Sequence, residues 1–155
     1  MKWKTYGFWI LLSEAVGALA GFLSREASQL YSEFITKPPL SPPAILFPIV
    51  WTVLYALMGI GMGRIRLSEP SEERSRATVL FLVQLGFNFF WSLIFFNAQA
   101  FGLAFLWLLI LWVLVLKMIG SFRKVDPVAA WLQIPYLLWL TFAAYLNAGV
   151  WLLNR

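Results

Sequence analysis

The third apolar run of the chain holds Gln84, Asn88, Trp91 and Phe95, at spacings of four, three and four. On a helix those intervals put all four on one face. Two carboxamides a turn apart offer hydrogen-bond donors and acceptors, and the rings beyond them offer a stacking surface. Asn and Gln also bond helices to one another inside membranes, so the spacing fits a ligand-facing wall and interhelical adhesion equally. The fifth run carries Pro135, Trp139, Ala143 and Asn147, each four apart, and the small Ala143 leaves volume between larger neighbours. In the second run Trp51 and Tyr55 lie one turn apart. Trp51, Trp91 and Trp139 with Gln84 and Asn88 make apolar walls with few orienting polar groups, an inventory for a flat, aromatic, partly polar ligand.

Other chemistry is scarce. The chain has no cysteine and no histidine, which removes thiolate metal sites, cysteine nucleophiles, the commonest haem ligand and the usual general base. No nucleophile–base pair or carboxylate dyad is visible. No resident cofactor and no metal is expected. Glu14, in mid-run with no basic residue at matching depth, is a weak candidate for a proton site. Lys117, near the end of its run, snorkels to the interface.

The elements that must position these residues are membrane helices. Of 155 residues, 61% are hydrophobic and 12% charged, about half the charge of a soluble domain. Apolar runs recur at about 20 residues, the length that crosses a bilayer. Five spans follow, at 6–23, 44–63, 77–96, 100–120 and 127–153, in one domain covering 1–155. Helices are expected because lipid supplies no partner for unpaired backbone groups, and the runs lack the alternation of barrel strands. The first run has no cleavage pattern and reads as a span.

Charge alternates between the connections. The N-terminus, second loop and fourth loop hold nine of twelve basic residues (Lys2, Lys4, Arg64, Arg66, Arg74, Arg76, Lys117, Arg123, Lys124), against Arg25, Lys37 and Arg155 elsewhere. The positive-inside rule then puts the N-terminus in the cytoplasm and the C-terminus outside. The basic residues are scattered over span ends, so nucleic acid is not an expected partner. The third connection, around Asn97–Gln99, forces a tight hairpin. Ser71 and Asp126–Pro127 read as caps for the third and fifth spans, and Pro135 predicts a kink. Gly17 with Gly21 and Gly59 with Gly63 allow close helix approach, within the bundle or between protomers.

The first loop, about Ser24–Pro43, is the longest. Loops of that length are usually functional or disordered, and Tyr31, Phe34, Ile35 and the prolines suggest a folded lid. Five of the eight prolines lie in Lys37–Tyr55. They keep the backbone extended up to the second span, with Ser41 as its expected cap.

Three blocks carry a resemblance over nearly the whole chain: KPPLSPPAILFPIVWTVLYALMGIG from Lys37, QLGFNFFWSLIFF from Gln84, and PYLLWLTFAAYLNAGVWLLN from Pro135. Together they resemble the translocator protein family (TspO/MBR, the tryptophan-rich sensory or peripheral benzodiazepine receptor-like proteins), in a bacterial-type member. Nine tryptophans suit that family. The resemblance implies an all-α bundle of five transmembrane helices with the long first loop as lid, and often a homodimer. It implies a membrane receptor or sensor binding porphyrins such as protoporphyrin IX, or related tetrapyrroles, and benzodiazepine-site-type hydrophobic small molecules. Its pocket positions fall on Trp51, Asn88, Trp91, Trp139 and Ala143, with Phe47, Pro43, Gln84 and Leu146 as neighbours and Tyr31 from the loop.

Some relatives degrade protoporphyrin IX in light through tryptophans matching Trp51 and Trp139, so a photo-oxidative enzyme is one alternative, driven by the bound pigment. Tetrapyrrole or lipid transport and a purely structural role are others. Without histidine, metal-free porphyrin is favoured over haem, with Lys37 near the entrance available to its propionates. The chain departs from the family at Leu30, before Tyr31, and at Leu40, where tryptophans are frequent. The sterol-recognition pattern also fails, because no Lys or Arg lies within five residues after Tyr145.

Overall fold

The computed structural model describes residues 2–155. Among these the chain forms α1 (Lys2–Leu23), α2 (Arg25–Phe34), α3 (Leu46–Leu67), α4 (Glu72–Ser92), α5 (Phe101–Val125), α6 (Pro127–Trp131) and α7 (Ile134–Leu153). A π-helical turn, Leu93–Asn97, continues α4, and no strand is present among the described residues. With α4 joined to its π-turn and α6 to α7, five stretches are long and apolar enough to cross a membrane. The protein is an all-α integral membrane protein.

The local signals explain most of the ends. Ser71 Oγ accepts from the Arg74 amide at 3.0 Å, satisfying one orphan donor of the first turn of α4. Asp126 Oδ1 does the same for the Val128 amide at 3.1 Å, with Pro127 in the first turn of α6. Ser41 does not cap α3. Its hydroxyl bonds to the Pro38 carbonyl at 2.7 Å within the loop, and α3 begins only at Leu46, from a turn in which the Leu46 amide reaches the Pro43 carbonyl. The consecutive prolines hold the backbone extended too far for Ser41 to reach the helix. The other helices overrun their apolar cores: α3 continues to Leu67, α4 starts at Glu72 and α5 ends at Val125, because polar residues at headgroup depth propagate a helix as well as apolar ones do.

The fifth span is interrupted before Pro135, as the proline predicts, by two residues that keep right-handed backbone. Pro135 cannot donate to the Trp131 carbonyl, so α6 stops at Trp131, Leu132 and Gln133 form a turn, and α7 restarts at Ile134. The long first loop is half helical. α2 occupies Arg25–Phe34, and only Ile35–Ile45 is irregular.

Packing is closest between consecutive spans: α1 lies mainly on α3, α4 on α5, and α5 on α6 and α7. The α1–α3 contact is made by glycines. A Cβ on Gly17 would enter the Tyr55 ring, one on Gly59 the Ile10 backbone, and one on Gly63 the Tyr6 ring, whereas Gly21 faces open space. Three of the four predicted glycines thus serve packing inside the bundle. The core runs through Met58, Met62, Phe81, Leu108, Leu111, Met118 and Phe122. Leu11, Val79, Leu106 and Leu138 stay exposed on the outer face, as lipid-facing residues should.

Candidate functional site

The segment from Thr36 through α3 runs antiparallel down α7 and α6, contact by contact. Thr36 and Asn154 exchange two hydrogen bonds, at 3.0 and 2.7 Å. Pro38 covers Gly149 so closely that a Cβ there would strike its ring. The Tyr145 hydroxyl donates to the Pro39 carbonyl, beside Leu40, whose φ of 69° is left-handed and costly for a branched residue. Phe47 meets Trp139 edge-on at 5.8 Å, and Trp51 meets Tyr136 at 6.2 Å. Lower down, Gln133 Nε2 donates to the Leu57 carbonyl at 3.1 Å, and Arg64 pairs with Asp126 at 2.7 Å.

The spacing along this seam is uneven. The backbones of α3 and α6 approach closely, but those of α3 and α7 stay more than 8 Å apart over almost all their length. Phe47, Trp51, Tyr136 and Trp139 fill the resulting wedge. Backbone and small-residue packing closes its lower end. Only side-chain rings close its upper part.

A hydrogen-bonded chain backs the wedge. The Tyr55 hydroxyl donates to Asn88 Oδ1. Asn88 Nδ2 donates to the Tyr136 hydroxyl, which donates in turn to Gln84 Oε1, both at 2.8 Å. Gln84 is fully buried, and its Nε2 has no partner among the described residues, an arrangement that costs free energy unless something fills it. Above this, Trp91 Nε1 donates to Asn147 Oδ1 at 3.0 Å, and Asn147 Nδ2 donates to the Phe101 carbonyl at 2.9 Å. Trp91 stacks on Phe95 at 4.9 Å, and Tyr31 of α2 sits edge-on against Phe95 and Phe96 in the π-turn. Burial pushes the Tyr31 hydroxyl up to about 12.

The expected residues therefore fall into two groups. Trp51, Gln84, Asn88, Trp139, Phe47 and the buried Ala143 belong to the wedge and its lining. Tyr31 belongs to a second aromatic cluster around Phe95, and Trp91 packs against both that cluster and the main core. Leu146 is buried on α7. Pro43 is exposed on the loop. Lys37 is not free at an entrance: its ammonium donates to the carbonyls of Tyr31, Ser32 and Ile35 at 3.0–3.1 Å and caps the end of α2. All three of its protons are spent there. Glu14 is half-buried and in no ion pair among the described residues. Tyr136 is the residue the spacing argument missed. It adjoins Pro135 and lies three before Trp139, one turn away on the same side of α7, a signal that was available. Its hydroxyl orders both carboxamides.

The arrangement has no acid–base pair set against a nucleophile. It can bind: aromatic faces, one unpaired donor, and a covering segment tied to α7 by side chains. The profile of the TspO/MBR family matches residues 9–152. The chain is 32% identical over 151 residues to the tryptophan-rich protein TspO of Chlorobaculum tepidum, covering 97% of this chain and 96% of that one. It is 37% identical over 136 residues to the translocator protein of sheep, Ovis aries, covering 86% and 80%. It is 33% identical over 120 residues to the tryptophan-rich sensory protein of Cereibacter sphaeroides, covering 77% and 74%. With the wedge residues lying inside the matched region, this chain belongs to the TspO/MBR family.

Proposed function

We infer that the protein is a membrane receptor or sensor that binds a porphyrin, protoporphyrin IX in the first instance, and flat hydrophobic ligands of the benzodiazepine-site type, in the wedge between α3 and α7. The observation that carries this is how the wedge is closed. Two helices diverge, and four aromatic side chains fill the gap where backbone packing would otherwise lie. Rings can rotate out of a gap at modest cost, and a planar macrocycle then replaces ring–ring contacts with ring–macrocycle contacts. The unpaired Gln84 Nε2 supplies a donor for the ligand's polar edge.

In the closed state the segment Thr36–Pro39 lies along the upper half of α7. It acts as the lid, and ligand enters when its bonds to Asn154 and Tyr145 release. Relatives named translocator and tryptophan-rich sensory proteins fit a ligand-responsive membrane protein. The reading includes a bacterial membrane with the N-terminus cytoplasmic, from the basic-residue asymmetry. It also includes a homodimer, for which Gly17, Gly59 and Gly63 are already occupied inside the bundle. Because the chain lacks cysteine, single cysteines at Lys2 and Arg155 report topology by side-specific labelling. Labelling of both from one side would refute it.

The test of binding is titration of the purified protein in detergent with protoporphyrin IX, followed by tryptophan quenching. Saturable quenching is expected, and Trp51→Phe with Trp139→Phe should weaken it by about tenfold, from roughly 0.5–1.5 kcal/mol per aromatic contact. An unchanged titration in the double variant would reject the wedge as the site.

A further inference from the structure

A second cleft lies far from the wedge, at the end of the bundle where α1 begins and α3 ends. It is open, with a volume of about 380 Å³, and is lined by Lys4, Thr5, Phe8, Trp9 and Arg66. Lys4, Thr5, Phe8 and Trp9 come from one face of the first turns of α1, at intervals of one and four. Arg66 comes from the last turn of α3.

Its charges are uncompensated. Among the described residues the ion pairs are Arg64 with Asp126 and Arg76 with Glu73, so neighbouring cations are paired while Lys4 and Arg66 are not. Among the described residues the side-chain hydrogen-bond partner of Arg66 is the neutral Thr78 hydroxyl, at a long 3.4 Å. Arg74 donates to the carbonyls of Arg66 and Ser68 at 3.2 and 3.0 Å. It holds the end of α3 in place and adds positive charge without neutralising any.

Below the cations the surface turns apolar at once. Phe8 is 58% exposed and Leu11 70%, and with Lys4 they form a stripe at i, i+4 and i+7. Trp9 closes the inner wall, edge-on to Phe8 at 5.1 Å and to Phe81 at 5.6 Å. Trp3, 67% exposed, stands six residues before Trp9, nearer the helix end, where indoles meet headgroups.

We propose that this cleft binds the headgroup of an anionic phospholipid, its phosphate held between Lys4 and Arg66 and one acyl chain lying along Phe8 and Leu11. Charge complementarity selects the anion. The apolar stripe beneath selects a lipid over a free anion. A basic pocket between helices at the membrane surface is the kind of place where such lipids lodge. The site shares no residue with the wedge, so its occupancy and porphyrin binding are separable.

The test uses the intact chain in non-ionic detergent, titrated with phosphatidylglycerol, phosphatidylcholine or inorganic phosphate, and reads bound lipid by native mass spectrometry and thermal stabilisation. Phosphatidylglycerol should bind and stabilise, the other two much less. Lys4→Gln should weaken phosphatidylglycerol binding about fivefold and Lys4→Gln with Arg66→Gln roughly twentyfold, at about one unit charge per step. Arg123→Gln, an exposed cation outside the cleft, should bind as the parent does. Equal stabilisation by phosphatidylcholine or by inorganic phosphate would overturn the proposal, as would loss of lipid in Arg123→Gln matching that in the double variant. If Arg66→Gln does not fold, Lys4→Gln decides alone, since its side chain is exposed and its ammonium lies 5.5 Å from the ring of the exposed Trp3, outside the core, and unchanged binding in it overturns the site.

Discussion

The Tyr136 hydroxyl donates to Gln84 Oε1 at 2.8 Å and, through its other side, accepts from Asn88 Nδ2 at the same distance. One phenol from α7 thus orders two carboxamides of α4, and Asn88 in turn holds Tyr55 of α3. The helices α3, α4 and α7 are tied behind the wedge by a single polar chain. In a low-dielectric interior such a chain is strong when complete and costly when cut.

Tyr136→Phe cuts it. The ring still packs, but Asn88 Nδ2 and Gln84 Oε1 lose their partner while buried. The expected cost is about 1–3 kcal/mol, seen as a lower thermal midpoint in detergent. A midpoint within error of the parent would mean that the two carboxamides do not depend on this phenol.

Gly59→Ala should destabilise by about 1–3 kcal/mol, because the added methyl meets the Ile10 backbone, which cannot swing aside. Gly21→Ala meets nothing and should be neutral or slightly stabilising, alanine being the better helix former. Comparing the two in thermal unfolding separates packing inside the bundle from helix propensity. Equal effects would place the α1–α3 contact elsewhere.

Asn154→Ala removes both bonds to Thr36 and leaves the wedge untouched. Amide exchange at residues 31–45 should rise several-fold, and porphyrin association and dissociation should both quicken, with a smaller change in Kd. A change confined to Kd, with exchange unaltered, would remove the lid role of this segment.

Tyr31 reports the docking of α2. Its hydroxyl ionises near 10 when exposed and at about 12 in the fold, so the folded form holds the proton more tightly. Its contribution is complete below pH 10 and is lost as pH rises from 10 towards 12. Exchange at α2 amides should therefore rise over that interval in the parent. In Tyr31→Phe this pH-linked step should vanish. A step that survives the substitution would assign it to another group.

Much of the fold was legible because a bilayer punishes every alternative. Long apolar runs have to be helices, and Asp126–Pro127 and Ser71 mark helix starts through donors that need partners within three residues. The same local logic failed at Ser41, where the decision lay with proline rigidity over several residues. At Pro135 it foresaw an interruption, and two turn residues, Leu132 and Gln133, stand before it. The candidate site was half legible. Spacing put Gln84, Asn88 and Trp91 on one face, yet it could not show that Trp91 turns to Asn147 while Asn88 turns to two tyrosines. Nor could it show that Lys37 spends its protons on the end of α2. The pairings between helices join residues 33–56 positions apart, and the Lys37 bonds, though local, depend on how the chain folds back after α2.

By itself the sequence determined that this chain crosses the membrane five times, which residues share a helical face and which family it joins, since each follows from local periodicity or from ordered blocks of residue types. Only the tertiary structure decided that α3 and α7 diverge, that four rings fill the space between them, and that the proline segment is tied along α7. Those facts depend on distances between helices, and helix separation is set by every side chain at the contact at once rather than by any one stretch of chain.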